Sequence, residues 1–318
     1  MIRRITLLVV LAVGLAACRD FNPNATPVIM FPTRVSGSPI PTFPGLPTQP
    51  VSTGGPGFPT QPGFPTQPPF PTVALPSPTP PPEQGWFTIR PNWPGVVWRN
   101  TTFRNGQNQA VGVVIVRVDR NYVNLRVHHA PNQAGTIQQW QGALPTALVI
   151  INANFFDTAG RPQGVVVTDG RYFGTNITRS DAGIFIVQNG QPRVRSLWLE
   201  PIKPQERFEQ ASQAYPILMA YGQVAPINPD VGSVSAPRTV IAQDRQGRIL
   251  LIVTTYAGVR LAELANWLGR ASGLDIDMAL NLDGGASTGM YLATNPTGIG
   301  QFVPNARQVP VVIAVYPK

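Results

Sequence analysis

The residue whose type and setting best suit chemistry is Asp283. An apolar run, Met278–Leu282, reads as a buried strand that delivers this carboxylate onto Gly284 and Gly285. Glycines let a backbone approach a ligand closely and take positive φ. A carboxylate in that setting can do acid–base or nucleophilic work, or it can close an ordinary Asp-Gly hairpin turn; residue types alone allow both. The following residues, Gly285-Ala286-Ser287-Thr288-Gly289, match the GxSxG nucleophile elbow. That elbow needs an acid and a histidine later in the chain and a helix after the serine. No Asp, Glu or His follows Ser287, and Asn295-Pro296-Thr297-Gly298 leaves little room for a helix, so a serine hydrolase is not expected.

Other chemistries are bounded by composition. Cys18 is the only cysteine, and His128 and His129 are the only histidines. No disulfide within the chain and no thiolate metal cluster can form, and neither HExxH nor CxxC occurs, so no metal or cofactor is expected. The net charge is +9 and almost all the cations are arginines. They are scattered, with no basic run interleaved with aromatics, which suits a solvated surface and not a nucleic-acid partner.

The elements that must position Asp283 begin far from it. Arg3 and Arg4 precede an apolar stretch, Ile5–Leu15, too short to span a bilayer comfortably, that ends in Leu15-Ala16-Ala17-Cys18. This resembles the bacterial lipobox, which implies residues 1–17 as a lipoprotein signal peptide, acylation of Cys18 and a membrane anchor of several acyl tails. Residues 18–84 read as a disordered linker dominated by Pro, Gly and Thr. Pro47-Thr48-Gln49-Pro50 recurs at 59–62 and 65–68, and Arg34 is the only charge between Asp20 and Glu83. Such a segment cannot bury enough apolar surface to offset its ordering entropy. As polyproline II, at ~3.1 Å per residue, its upper reach is on the order of 190 Å.

From residue 85 to 318 the pattern is that of one domain, in which short β-branched runs dominate. Val111–Val118 and Tyr122–Val127 read as a hairpin through Asp119-Arg120-Asn121. Gly164–Thr168 and Gly183–Gln188 read as strands that end on the turn signals Asp169-Gly170 and Asn189-Gly190. Thr239–Ala242 and Arg248–Thr254 form another predicted hairpin, and Leu148–Asn152 and Val309–Tyr316 complete the strands. Leu261, Leu264, Ala265 and Leu268 have helical spacing, with Gly269 and Gly273 as possible stops, and a weaker helix covers Thr136–Gln141. The expected class is α+β: a mixed, mostly antiparallel sheet domain with few helices, carried on the Pro-rich stalk.

Three segments now resemble a family. Asn281-Leu282-Asp283-Gly284-Gly285-Ala286-Ser287 is similar to the NLDGG-[GA]-S motif of the phosphodiester glycosidases. Ile151-Asn152-Ala153-Asn154-Phe155-Phe156-Asp157, followed by Gly160, Pro162 and Gly164, is similar to the family's N-G-G-[FY]-F block. Arg238-Thr239-Val240-Ile241-Ala242, followed by Asp244 and Gly247, is similar to its R-T-A-x-G block. They occur in the family's order and span about Val111 to Tyr316. Ala153-Asn154 replaces Gly-Gly, and Ala242-Gln243 replaces Gly-His.

The resemblance implies hydrolysis of the C1–O bond of a sugar-1-phosphodiester. Two carboxylates commonly share such work. Asp283 is the first; Asp157 and Asp181 are candidates for the second, while Glu263 falls on the solvent side of its helix. A phosphodiester leaves as a weakly basic anion, so one carboxylate with a cation on the phosphate can suffice. Arg238 is the natural clamp, or else a structural salt bridge. Asn152 can hold a sugar hydroxyl or the attacking water, or bond its own loop. Thr239 and Ser287 are candidates to donate to phosphate, Gly284, Gly285 and Asp157 to bind substrate, and Phe156 to stack on a sugar or fill the core. His128 and His129 are read as surface or core residues. The expected partner is a carbohydrate phosphodiester of the wall or exopolysaccharide, met on the extracytoplasmic face of a membrane. A non-catalytic glycan-binding lipoprotein is the alternative, and a purely structural stalked wall protein is a third.

Overall fold

The computed structural model describes residues 85–90, 93–270, 274–293 and 301–318. The expected signal peptide, Cys18, the expected linker and the predicted helix stop at Gly273 lie outside the described residues. Three large sheets and a two-stranded one, Phe155–Phe156 with Pro162–Gln163, make up the described domain, and every ladder among the described strands is antiparallel. The first has eight strands in the order Phe87–Arg90, Trp93–Arg104, Ala110–Val118, Ile249–Tyr256, Thr239–Asp244, Ile276–Asn281, Ile217–Ala220 and Gln223–Val224. The second runs Gln191–Ser196, Gly183–Gln188, Gln210–Ala214, Val166–Thr168, Arg171–Phe173. The third runs Gln301–Val303, Met290–Leu292, Val149–Asn152, Val311–Pro317, Val123–His129.

Period-2 alternation assigns the faces. One face of each sheet fills a shared core: Val116, Ile241, Leu251 and Leu280 from the first, Phe185 and Val194 from the second, Val149, Ile151 and Ile313 from the third. The intervening residues point the other way. Val240, Ala242, Leu250 and Ile252 pack under the helix Leu261–Arg270, which buries the stripe Leu261, Leu264, Ala265 and Leu268 that its spacing predicts. Each fully buried leucine of that stripe contributes about 1.5–3 kcal/mol relative to exposure. Glu263 lies in this helix's first turn, where its carboxylate accepts from the backbone N–H of Arg260 at 3.2 Å. The helix Ile137–Ala143 covers the outer face of the third sheet through Ile137 and Trp140. It starts at a capping box: the Thr136 hydroxyl accepts from the N–H of Gln139, whose side chain accepts from the N–H of Thr136.

Two turns match their signals residue for residue. Asp169-Gly170 and Asn189-Gly190 all have positive φ, at 48°, 77°, 51° and 68°, and each pair joins a tight hairpin. The expected hairpin of Val111–Val118 with Tyr122–Val127 does not form. Ala110–Val118 pairs in the first sheet and Val123–His129 in the third. Asp119-Arg120-Asn121 is a corner between sheets, tied by the Asp119 N–H to the Gly95 carbonyl and by the Tyr122 N–H to the Asp119 carbonyl. Both strands put valines and a leucine into the shared core from opposite walls, which a paired hairpin could not do. His128 and His129 end the second of these strands, half-buried, with the Nε2 of His128 2.9 Å from the Tyr316 hydroxyl and the ring of His129 edge-on to Phe173.

Candidate active site

Three strand ends meet at Asp283. Thr239–Asp244 begins there, and Val149–Asn152 and Ile276–Asn281 end there. Beyond Asn281 the chain leaves the first sheet and enters the third at Met290, so residues 282–289 bridge two sheets. The crossing is tied to both sides: the Leu282 N–H donates to Thr239 at 2.8 Å and the Asp283 N–H to Ala153 at 2.9 Å. Leu282 is fully buried in the shared core, so the alternation turns Asp283 away from it.

Asn152 holds this junction from beneath. Its side chain is completely buried; Nδ2 donates to the Asp283 carbonyl at 2.6 Å, and Oδ1 accepts from the Thr239 hydroxyl at 2.7 Å and the Gly289 N–H at 3.1 Å. Asn152 and Thr239 were expected to meet substrate. The structure instead spends their polar groups on each other and on the turn, because the backbone groups left over where strands end must be satisfied. Asn154, the departure in the first motif, is a second buried bracket: Nδ2 donates to Gln213 at 2.7 Å and Oδ1 accepts from Ser212 at 2.6 Å. Gln243, the departure in the second, lies mid-strand opposite Met278 and accepts from the Val194 N–H, four residues from the end where Arg238 and Thr239 sit.

The Asp283 carboxylate is held by its own turn. It accepts from the Gly284 N–H at 2.9 Å and from the Ser287 hydroxyl. Gly285–Ser287 is a single 3₁₀ turn, and Ser287 is buried, so the GxSxG match is not an elbow that presents a serine. Burial pushes the Asp283 carboxyl above the usual carboxylate range, against the opposing pull of Ser287, Gly284 and the nearby Arg307 cation. Gly284 is packed tightly: a Cβ there would stand 2.9 Å from the Pro237 carbonyl and 3.7 Å from Nη1 of Arg238. Gly285 takes φ +62° and donates to Pro237 at 2.8 Å.

Arg238 therefore stands beside the glycine turn. Among the described residues no carboxylate pairs with it. Nε donates to the Val259 carbonyl at 3.1 Å and Nη2 to that of Val234, so two carbonyls stand where the alternative reading had a salt bridge. Burial pulls its pKa down from the ordinary value, but a guanidinium remains protonated. The result is a buried cation with Nη1 beside Gly284.

The remaining candidates separate. Asp157 closes its own loop, accepting from the N–H groups of Ala159 and Arg161 and from Nε of Arg161. It is a turn residue, paired with Arg161. Phe156 lies under the Arg307 guanidinium, 4.6 Å from ring centre to Cζ. Asp181 accepts from Nε and Nη2 of Arg179, each at 2.7 Å. That pair nevertheless belongs to the site's surroundings: Arg179 lies 4.3 Å over the Tyr215 ring, and Tyr215 senses both Asp181 and Asp283. Phe155 packs on the Tyr215 ring, with centroids 4.7 Å apart and the planes tilted by 32°. Asn281 donates to the Tyr215 carbonyl, and its buried Oδ1 has no partner. Tyr215, Arg179, Phe155 and Arg307 were not singled out by sequence. Only Phe155 lay within a recognisable motif; the others arrive through long-range pairing that no local spacing reveals. Among the described residues no group of three His, Asp, Glu or Cys is arranged to hold a metal ion.

A cleft of about 780 Å³ borders the turn, with Pro237, Gly285, Ala286 and Ala306 among its lining residues.

The domain resembles two solved structures in fold. One is the catalytic domain of zebrafish N-acetylglucosamine-1-phosphodiester alpha-N-acetylglucosaminidase, auto-inhibited by its pro-peptide, at a TM-score of 0.56 and 18% identity over 73% of this chain and 86% of that one. The other is a hypothetical protein from Synechocystis, at 0.50 and 18% identity over 70% of this chain and 62% of that one. No curated protein sequence matches the chain. The phosphodiester glycosidase family model matches residues 145–316, more than half of the sequence and the whole stretch from the Asn152 bracket through the Asp283 turn, and the chain belongs to the phosphodiester glycosidase family.

Proposed function

We propose that the chain hydrolyses the glycosidic bond of sugar-1-phosphodiesters, with N-acetylglucosamine as the model sugar, and that Asp283 is its central catalytic group. The observation that carries this reading is one glycine turn that gathers a partly desolvated carboxylate, the Arg307 charge that acts on it, and the buried Arg238 guanidinium packed against Gly284. In the reaction the C1–O bond breaks, an oxygen from water ends on C1, and the phosphate departs as a monoester. Asp283 serves as base toward that water or as nucleophile at C1. The departing phosphate is already anionic and needs charge stabilisation more than a proton, which Nη1 of Arg238 and the guanidinium of Arg307 supply. Tyr215 and Phe155 offer an aromatic wall for the sugar, and the free Oδ1 of Asn281 an acceptor for one of its hydroxyls. Asn152, Thr239 and Ser287 are positioning residues that fix the turn.

The lipid at Cys18 and the stalk of residues 18–84 complete the proposal. They would hold the domain of residues 85–318 outside the cytoplasm, where wall and exopolysaccharide phosphodiesters are abundant. The test is product identity in ¹⁸O-labelled water. Glycosidase action on a GlcNAc-1-phosphodiester releases free sugar carrying the label and an unlabelled phosphomonoester. Label in the phosphate, or release of sugar 1-phosphate, contradicts C1–O cleavage. Absence of turnover with retained binding supports the alternative, a glycan-binding lipoprotein.

A further inference from the structure

The cleft beside the turn has a composition that the rest of the molecule does not share. The chain carries 24 cationic and 15 acidic residues, yet among the described residues no charged side chain lines this cleft. Its walls are Val113, Val114, Met290, Leu292, Phe302 and Val303, interspersed with threonine and serine hydroxyls. Its volume is in the range of pockets that enclose small ligands. Thr288 lines its inner end with a buried hydroxyl that has no hydrogen-bond partner. Such a group is costly unless a ligand atom satisfies it.

Its position relative to Asp283 is equally specific. Three lining residues, Pro237, Ala286 and Ala306, are the chain neighbours of Arg238, Ser287 and Arg307. Both cations proposed for the phosphate thus adjoin residues of the cleft wall as well as the Asp283 turn, while Tyr215, Phe155 and the Arg179–Asp181 pair are not among the residues that line it. A phosphodiester laid across this arrangement puts its sugar toward Tyr215, its phosphate between Arg238 and Arg307, and its second ester arm into the cleft.

We propose that the cleft is the leaving-group subsite and that it selects phosphodiesters whose second arm is an uncharged, lipid-like alkyl chain over those carrying further phosphates. The proposal rests on the hydrolase reading given above. A polyanionic arm finds no cation in these walls; an alkyl arm finds valine, leucine, methionine and phenylalanine, with Thr288 left to donate to an ester oxygen. The reaction products are then free sugar and an alkyl phosphate, with one water consumed.

The test uses the full chain and three GlcNAc-1-phosphodiesters, with methyl, hexyl and glycerol-phosphate arms. At several-fold per buried methylene, the hexyl ester is expected to have a KM at least about tenfold below the methyl ester, and the glycerol-phosphate ester no advantage. Thr102→Glu and Phe302→Glu, exposed cleft residues away from the turn, place a carboxylate in the cleft. They are expected to abolish the hexyl advantage and leave methyl-ester turnover unchanged. Hydrolysis of all three with equal KM overturns the subsite and leaves the hydrolase reading intact. If none is hydrolysed, that reading fails, and calorimetric titration of the same esters decides the subsite. Tighter hexyl binding lost in Thr102→Glu supports it, and equal binding of methyl and hexyl esters overturns it.

Discussion

Replacing Asn152 by alanine separates a bracket from a catalytic group. The side chain makes three hydrogen bonds in complete burial: to the Asp283 carbonyl at 2.6 Å, from the Thr239 hydroxyl at 2.7 Å and from the Gly289 N–H at 3.1 Å. The substitution leaves two backbone groups and one hydroxyl without partners. Each stranded backbone group costs about 1–3 kcal/mol, while the hydroxyl can rotate and loses less. A loss of about 3–5 kcal/mol follows, a large share of the ~5–15 kcal/mol typical of a folded domain. Urea denaturation of the full chain measures it, with unchanged m confirming that the native state is comparable. Thr239→Val removes only one donor and should cost about 1 kcal/mol, and the double variant should cost less than the sum because the two residues share a bond. A loss below about 1 kcal/mol for Asn152→Ala would refute the bracket and return Asn152 to the substrate-facing role that its motif suggested.

Other outcomes follow from single features of the site. Because burial raises the Asp283 pKa, the folded chain holds a proton there at pH values where the unfolded chain has released it, so stability falls as pH rises from the ordinary carboxylate range through the folded pKa. Asp283→Asn removes that slope, and parallel thermal melts across the acid range should show it. Activity, which needs the ionised carboxylate, should rise over a window displaced upward from an ordinary aspartate, as a pH profile of kcat/KM would show. Gly284→Ala sets a Cβ 2.9 Å from the Pro237 carbonyl, a backbone atom that cannot swing aside, so the turn must shift beside Arg238; a fall in kcat of at least about tenfold is expected, together with a loss of stability that thermal melts would show. Arg238→Gln should raise KM for phosphodiesters and leave binding of the free sugar unchanged, read by competition with N-acetylglucosamine.

Legibility in the sequence followed the range of the interaction. The turns at Asp169-Gly170 and Asn189-Gly190 are fixed by two residues each, and the helix over Leu261–Leu268 by one apolar stripe, so local pattern sufficed. Val118 to Val123 looked local and was not, because the choice between hairpin and corner depends on which sheet supplies the partner strand. Gln210–Ala214 reads as a polar segment, yet it is a fully buried strand: Gln210 accepts from the Val127 N–H, and Gln213 joins Val165, Ile177 and Asn176. Buried amides that bracket backbone are invisible to hydrophobic periodicity. The same blindness placed Asn152 and Thr239 at the substrate, whereas Asp283, set by a strand end and two glycines, was legible. Tyr215 and Arg307 reach the site only through the assembled fold.

The central claim is that the Asp283 carboxylate performs the chemistry of this turn. Steady-state hydrolysis of a GlcNAc-1-phosphodiester by the full chain and by Asp283→Asn, with thermal melts to establish that both are folded, tests it most directly. The expected result is a fall in kcat/KM of about a thousandfold or more in a variant at least as stable as the parent. A folded Asp283→Asn variant that retains activity within a few-fold of the parent would contradict it.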